Sequence, residues 1–156
     1  MTDSLKALFT SWCDDTRSIT LEFINELSDA DLDKKLPRKE LNTIRLQSEE
    51  MAFIQKDFVE GLRTKVLEFN APELGKLSKQ EIAKMMAELD GEMEKLLAAF
   101  DGTESIDVYG TPYNIHRYIA TMIIHENMHI GQIIAFCYAT GIEVPAAVTE
   151  NLALEG

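Results

Sequence analysis

Histidine is scarce in this chain: three residues in 156, beside two cysteines, four prolines and one tryptophan. Each shortage excludes something. Cys13 and Cys137 lie far apart and in no Cys-x-x-Cys pair, so they supply neither a disulfide framework nor a cysteine-rich metal site. They read instead as small buried hydrophobes, with no adjacent basic residue to activate a thiol. No apolar run approaches the ~20 residues that span a bilayer. The start, Met1-Thr2-Asp3-Ser4-Leu5, lacks a basic stretch followed by an apolar one, so a cytoplasmic protein is expected. Basic residues are also few: 15 Lys and Arg stand against 27 Asp and Glu, a net charge of −12. Affinity for nucleic acid comes mainly from Lys and Arg displacing counterions, so neither DNA nor an acidic membrane is an expected partner.

What the chain does contain is ordinary globular composition, 46% hydrophobic and 27% charged, without low-complexity stretches or repeats. At this length one domain over 1–156 is expected. Leu5, Leu8, Phe9, Trp12, Thr16, Ile19, Phe23, Ile24 and Leu27 recur every three or four residues and predict a helix over roughly 3–28. The polar connection from Ser28 to Arg38 has room for a short helical turn at Asp29 to Lys35. A second stripe, Ile44, Met51, Ile54, Phe58, Leu62 and Val66, predicts a helix over 42–67, capped by Asn42 or Thr43.

Ser78-Lys79-Gln80-Glu81 has capping-box spacing, with Leu77 placed to staple onto Ile82, and opens a third helix that Asp101-Gly102 ends. A Val/Tyr segment between 103 and 110 is too brief to found a sheet. Thr111-Pro112 offers a cap and a first-turn proline for a last helix reaching Thr140, with Gly141 as terminator. The residues beyond it read as a non-helical tail. Four long helices with no βαβ alternation imply an all-α protein, a four-helix bundle.

His125 and His129 sit four apart inside that last helix, so both imidazoles leave the same face and can grip one ion. They share a largely apolar face with Tyr118, Met122 and Phe136, which are therefore candidates to line a pocket. His116 falls about 180° away and has no access to the same ion. Two imidazoles need a third donor, since catalytic zinc takes three protein ligands and leaves one position for water. Helix two offers Gln47, Glu50 and Asp57; the two carboxylates are ~10 Å apart along the axis and are alternatives to each other. Gln132 is placed to orient a ligand from outside the coordination shell.

His125-Glu126-x-x-His129 also fits the zinc-protease pattern, in which the glutamate is the general base, although Glu126, about 60° from His129, reads better as a residue at the rim of the site or an alternative ligand. The longer form of that motif fails, because Ala135 stands where a glycine is required and no histidine follows His129. A downstream glutamate ligand would have to be Glu143, Glu150 or Glu155, and no sheet edge is expected to bind a peptide.

His-x-x-x-His followed by Ile130-Gly131-Gln132-Ile133, then Gly141 and Ile142-Glu143-Val144-Pro145, resembles the C-terminal signature of the DinB/YfiT superfamily of small metalloenzyme-like bundles. The segment Asn42-Thr43-Ile44-Arg45 through Gly61-Leu62-Arg63-Thr64 resembles that family's second helix, where a histidine supplies the first ligand; here the position is Glu50. The resemblance implies an up-down-down-up bundle with one divalent ion on His125, His129 and Glu50. Zn or Ni is the first expectation and Fe or Mn the next. It further implies a metal-dependent transferase or hydrolase for a small-molecule substrate, with a low-molecular-weight thiol as co-substrate, and a homodimer. The contrasting expectation is a non-catalytic, stress-associated dimeric bundle.

Overall fold

The first helix runs almost where its stripe predicts, but not as one regular helix. In the computed structural model, which describes residues 1–154, Thr2 caps α1 (Asp3–Ser11), which passes into a π-helical segment (Trp12–Arg17) and on into α2 (Ser18–Glu26). The N–H of Ser18 reaches back five residues to the Cys13 carbonyl. Thr16 and Arg17, neighbours in sequence within that wider turn, are both buried. Ser28 caps a short α3 (Asp29–Leu32), and Arg45 ties it to the next helix through Asp29 and Asp33 at 2.7 and 2.6 Å.

Of the two candidate caps for helix two, Thr43 is the one used; α4 (Ile44–Thr64) ends at Lys65 in the left-handed conformation. The chain then leaves through β1 (Val66–Leu67). Two buried carboxylates on α4 hold the following loop: Asp57 accepts from the backbone and side-chain amides of Asn70, and Glu49 accepts the N–H groups of Gly75, Lys76 and Leu77. That loop delivers Ser78, whose capping box with Glu81 opens α5 (Lys79–Ala98).

The all-α expectation is corrected at this point. β2 (Ser105–Val108) and β3 (Thr111–Asn114) form an antiparallel hairpin, and β1 pairs parallel to β2, giving a three-stranded sheet in the order β1-β2-β3. Tyr109 and Gly110 both take positive φ, at 51° and 79°, as a two-residue hairpin turn matched to strand twist requires. Pro112 therefore lies in β3, an edge strand that tolerates its missing N–H, and not in a first helical turn. Asn114 caps α6 (Ile115–Thr140), which Gly141 terminates as expected. The tail is not wholly irregular either, because Ala146–Asn151 forms α7.

Packing orients the four long rods. α4 and α6 run antiparallel, since Phe58 meets Tyr118 while Glu50 meets His125 and His129. Arg17 faces Asp90, the N-terminus reaches Ala98 and Lys79 reaches Asn25, so α1 and α2 run against α5. The apolar interior is split in two. One cluster gathers Phe23, Ile44, Met86 and Ile133, the other Phe9, Phe58, Met93 and Ile119. Buried polar side chains gather near where the two clusters meet: Thr16, Arg17 and Thr20 on the first rod, Gln55 on α4, Glu126 and His129 on α6, with the partly buried Asp90 on α5. A polar layer thus crosses the middle of the fold.

Candidate metal centre

Glu50 on α4 and His125 and His129 on α6 come together at the margin of that layer. Glu50 Oε2 lies 3.0 Å from His129 Nε2, and Oε1 lies 3.5 Å from His125 Nε2. One donor atom from each residue lies within 4.8 Å of the others. The two rings sit 4.7 Å apart at 60°, both presenting Nε2 to the same carboxylate. His129 is closed off, its side chain 2% exposed, whereas Glu50 and His125 are 19% and 24% exposed, so the cluster opens to solvent on one side.

The contacts converge more than they pair. Despite the 3.0 Å approach, Glu50 Oε2 has no aligned hydrogen bond, and His129 Nδ1 has no partner at all. A buried carboxylate oxygen without an aligned donor is rare in folded proteins, and at Glu50 Oε2 an ion would complete it; Nδ1 is the ring nitrogen that does not face Glu50. Burial pushes the Glu50 carboxyl up, but the two imidazoles more than offset this and hold it down at about 2, so Glu50 stands ready as an anionic donor. Donors bound ~2.1 Å from a tetrahedral ion stand roughly 3.4 Å apart, close to the two contacts seen here. Two imidazole nitrogens and one carboxylate oxygen with an open side fit a divalent cation with a vacant position.

The other candidates are placed elsewhere or used otherwise. Asp57 is committed to Asn70. Gln47, the remaining alternative on α4, is fully buried one turn before Glu50 with both amide atoms unpartnered, and Gln132 Oε1 is also unpartnered one turn beyond His129. Tyr118, Met122 and Phe136 are packed as core residues; the Tyr118 hydroxyl donates to the Phe58 carbonyl at 2.8 Å. His116 lies away from the cluster and meets Ser4 at 2.9 Å. Burial pushes the thiols of Cys13 and Cys137 up to about 11, which suits inert residues.

Glu126 does not serve as a base beside the histidines. It points to a neighbouring flank of α6, toward the first rod, where Oε2 accepts from Trp12 Nε1 at 2.8 Å and Oε1 from Thr20 Oγ1 at 2.6 Å, with Arg17 Nη2 at 3.3 Å from Oε2. The zinc-protease reading loses its general base to these contacts. Glu143 and Glu150 are exposed near α7 and away from the cluster, and Glu155 lies outside the described residues. The network around Glu126 went unseen in the sequence, although Arg17 inside an apolar stripe was a signal that it needed a partner.

A family model described as the DinB superfamily matches residues 13–133. No curated protein matches the chain. Among solved structures, a DinB-like protein from Bacillus cereus ATCC 10987 has a TM-score of 0.71 at 22% identity, over 90% of this chain and 95% of that one. That likeness supports the fold.

Proposed function

The chain belongs to the DinB superfamily, and we propose that it is a metal-dependent enzyme holding one divalent cation through Glu50, His125 and His129. The observation that carries this is the convergence of three donors, one of them a buried carboxylate oxygen without an aligned partner. Zn or Ni suits two imidazoles and one carboxylate best, with Fe or Mn next. Bound there, such an ion would acidify a coordinated water or thiol and polarise a substrate. Glu50 and His125 would hold it from the open side, while buried His129 anchors it from within.

A transferase using a low-molecular-weight thiol, or a hydrolase, acting on a small molecule is the reaction class in keeping with this arrangement. The fold is read as one domain over 1–156, an up-down-down-up four-helix bundle with a small sheet appended. The net charge of −12 speaks against a nucleic acid partner. No helix among the described residues is long and apolar enough to cross a membrane. A cytoplasmic site of action is part of the same proposal.

A second reading, a dimeric bundle without catalysis, draws on the outward face of α6. Thr121, Ile124, Met128, Gly131, Ala135 and Tyr138 recur at alternating intervals of three and four, the spacing of a coiled-coil seam. Ile124, Met128 and Tyr138 are 68%, 50% and 63% exposed. This uncharged strip is where two copies of a strongly acidic chain could approach, so a homodimer is proposed under both readings.

Metal analysis of protein purified without chelator separates the two. About one ion per chain, lost in a His125→Ala, His129→Ala double variant, supports the enzyme. No metal under any loading condition, with the dimer intact, supports the alternative.

A further inference from the structure

We infer that Arg17, with Trp12 and Thr20, positions the two ligand-bearing helices from the far side of the polar layer; the inference rests on the metal reading above. Glu126 lies within the same turn of α6 as His125 and His129, roughly 100° and 60° from them around the helix, and its carboxylate meets the first rod instead of Glu50. Both of its oxygens are occupied, by Trp12 Nε1 at 2.8 Å and Thr20 Oγ1 at 2.6 Å. The turn that carries the imidazoles is therefore also held by the first rod, on a flank other than the one that meets Glu50.

The Arg17 guanidinium extends this hold to α4. Its Nη2 donates to Gln55 Oε1 at 2.8 Å and lies 3.3 Å from Glu126 Oε2, so one nitrogen touches both helices that supply metal donors. Gln55 in turn donates to Asp90 on α5 at 2.6 Å, and Arg17 Nε lies 3.5 Å from Asp90 Oδ1. The guanidinium also covers the Trp12 ring at 4.8 Å. These groups hang from the π-helical segment and the turn after it, where Thr16 and Arg17 are both buried.

A metal site needs its donors held within about 0.5 Å and 10–20° of the working geometry. Glu50 and the imidazoles cannot do this alone, since their contacts with one another are not aligned hydrogen bonds. The Arg17 bridge sets the spacing of α4 from α6 before any ion arrives. Loss of such outer contacts typically lowers metal affinity 10–100-fold with the ligands intact.

The test uses the full chain and cobalt(II), whose visible absorption reports ligand geometry, with affinity measured by competition against a chromophoric chelator. Glu126→Gln is expected to lower cobalt and zinc affinity ~10-fold or more and to change the cobalt bands. Thr20→Val, close in shape and leaving both ion pairs in place, should give a smaller change of the same sign. Arg17→Lys should likewise weaken binding, because an ammonium cannot reproduce the planar fork. Variants that fold, show the wild-type cobalt spectrum and bind as tightly as wild type would overturn the inference while leaving the metal site standing. A wild-type chain that takes up no cobalt would instead defeat the metal reading, and this inference with it.

Discussion

A single turn of α6 faces two acidic partnerships that could hardly be less alike. On one side Glu126 is buried with both oxygens occupied, inside a network linking Trp12, Arg17, Thr20, Gln55 and Asp90. On the other, Glu50 meets His125 and His129 without aligned hydrogen bonds, and the unpartnered atoms Glu50 Oε2, His129 Nδ1, Gln132 Oε1 and both of Gln47 lie on these facing stretches of α4 and α6. A network whose acceptors are filled by the protein's own donors holds structure, whereas the unfilled Glu50 oxygen is what the proposed ion would complete. Arg17 shows the limit of the contrast, since its Nε and Nη1 also lack aligned partners and depend on charge and the Trp12 ring.

The comparison breaks most readily at Arg17. Truncation to Ala strands Glu126 as an uncompensated buried charge and is expected to cost about 3–5 kcal/mol in denaturant unfolding. Glu50→Ala in metal-free protein should cost far less, and an equal loss at both positions would erase the distinction. Next in size is the ion itself: zinc at a hundredfold excess over its dissociation constant should add about 2.7 kcal/mol of stability. Thermal melts should show that gain in the wild type and none in Glu50→Ala.

Asp57→Ala sharpens the contrast further along α4. It removes two hydrogen bonds to Asn70 and should lower stability by about 1–2 kcal/mol. Zinc titration should find affinity nearly unchanged, and a large drop would place Asp57 in the coordination shell. The smallest effect concerns Asp90. Burial pushes its carboxyl up, against the pull of Arg17 and Gln55. Folded Asp90 thus holds its proton more tightly than the unfolded chain does. Its contribution to stability is full below the ordinary value of 3.8 and is lost as pH rises through the raised value. Asp90→Asn should flatten stability against pH across that window, and an unaltered slope would show that the group does not titrate there.

The sequence reveals what lies on one element and hides what several must assemble. His125 and His129 are legible because helical spacing alone puts them on one face, and the capping box at Ser78 is legible because it is local. Glu50 could not be told from Gln47 or Asp57 by position on helix two; only the family resemblance favoured it, and only the fold shows Asp57 held by Asn70. The sheet was missed because a two-residue β1 has no pattern of its own and becomes a strand only beside β2. Glu126, expected at the rim of the histidine pair, instead has its carboxylate turned to a different rod, which its place in the motif does not reveal. The Arg17 network spans four helices and could not be composed from any one of them.

X-ray absorption at the zinc edge of the loaded protein addresses the coordination claim directly. The account predicts a shell of two imidazole nitrogens with oxygen, at about 2.0–2.2 Å, that loses its imidazole scattering in the His125→Ala, His129→Ala variant. A shell of water oxygens alone, or one containing sulfur, would contradict it.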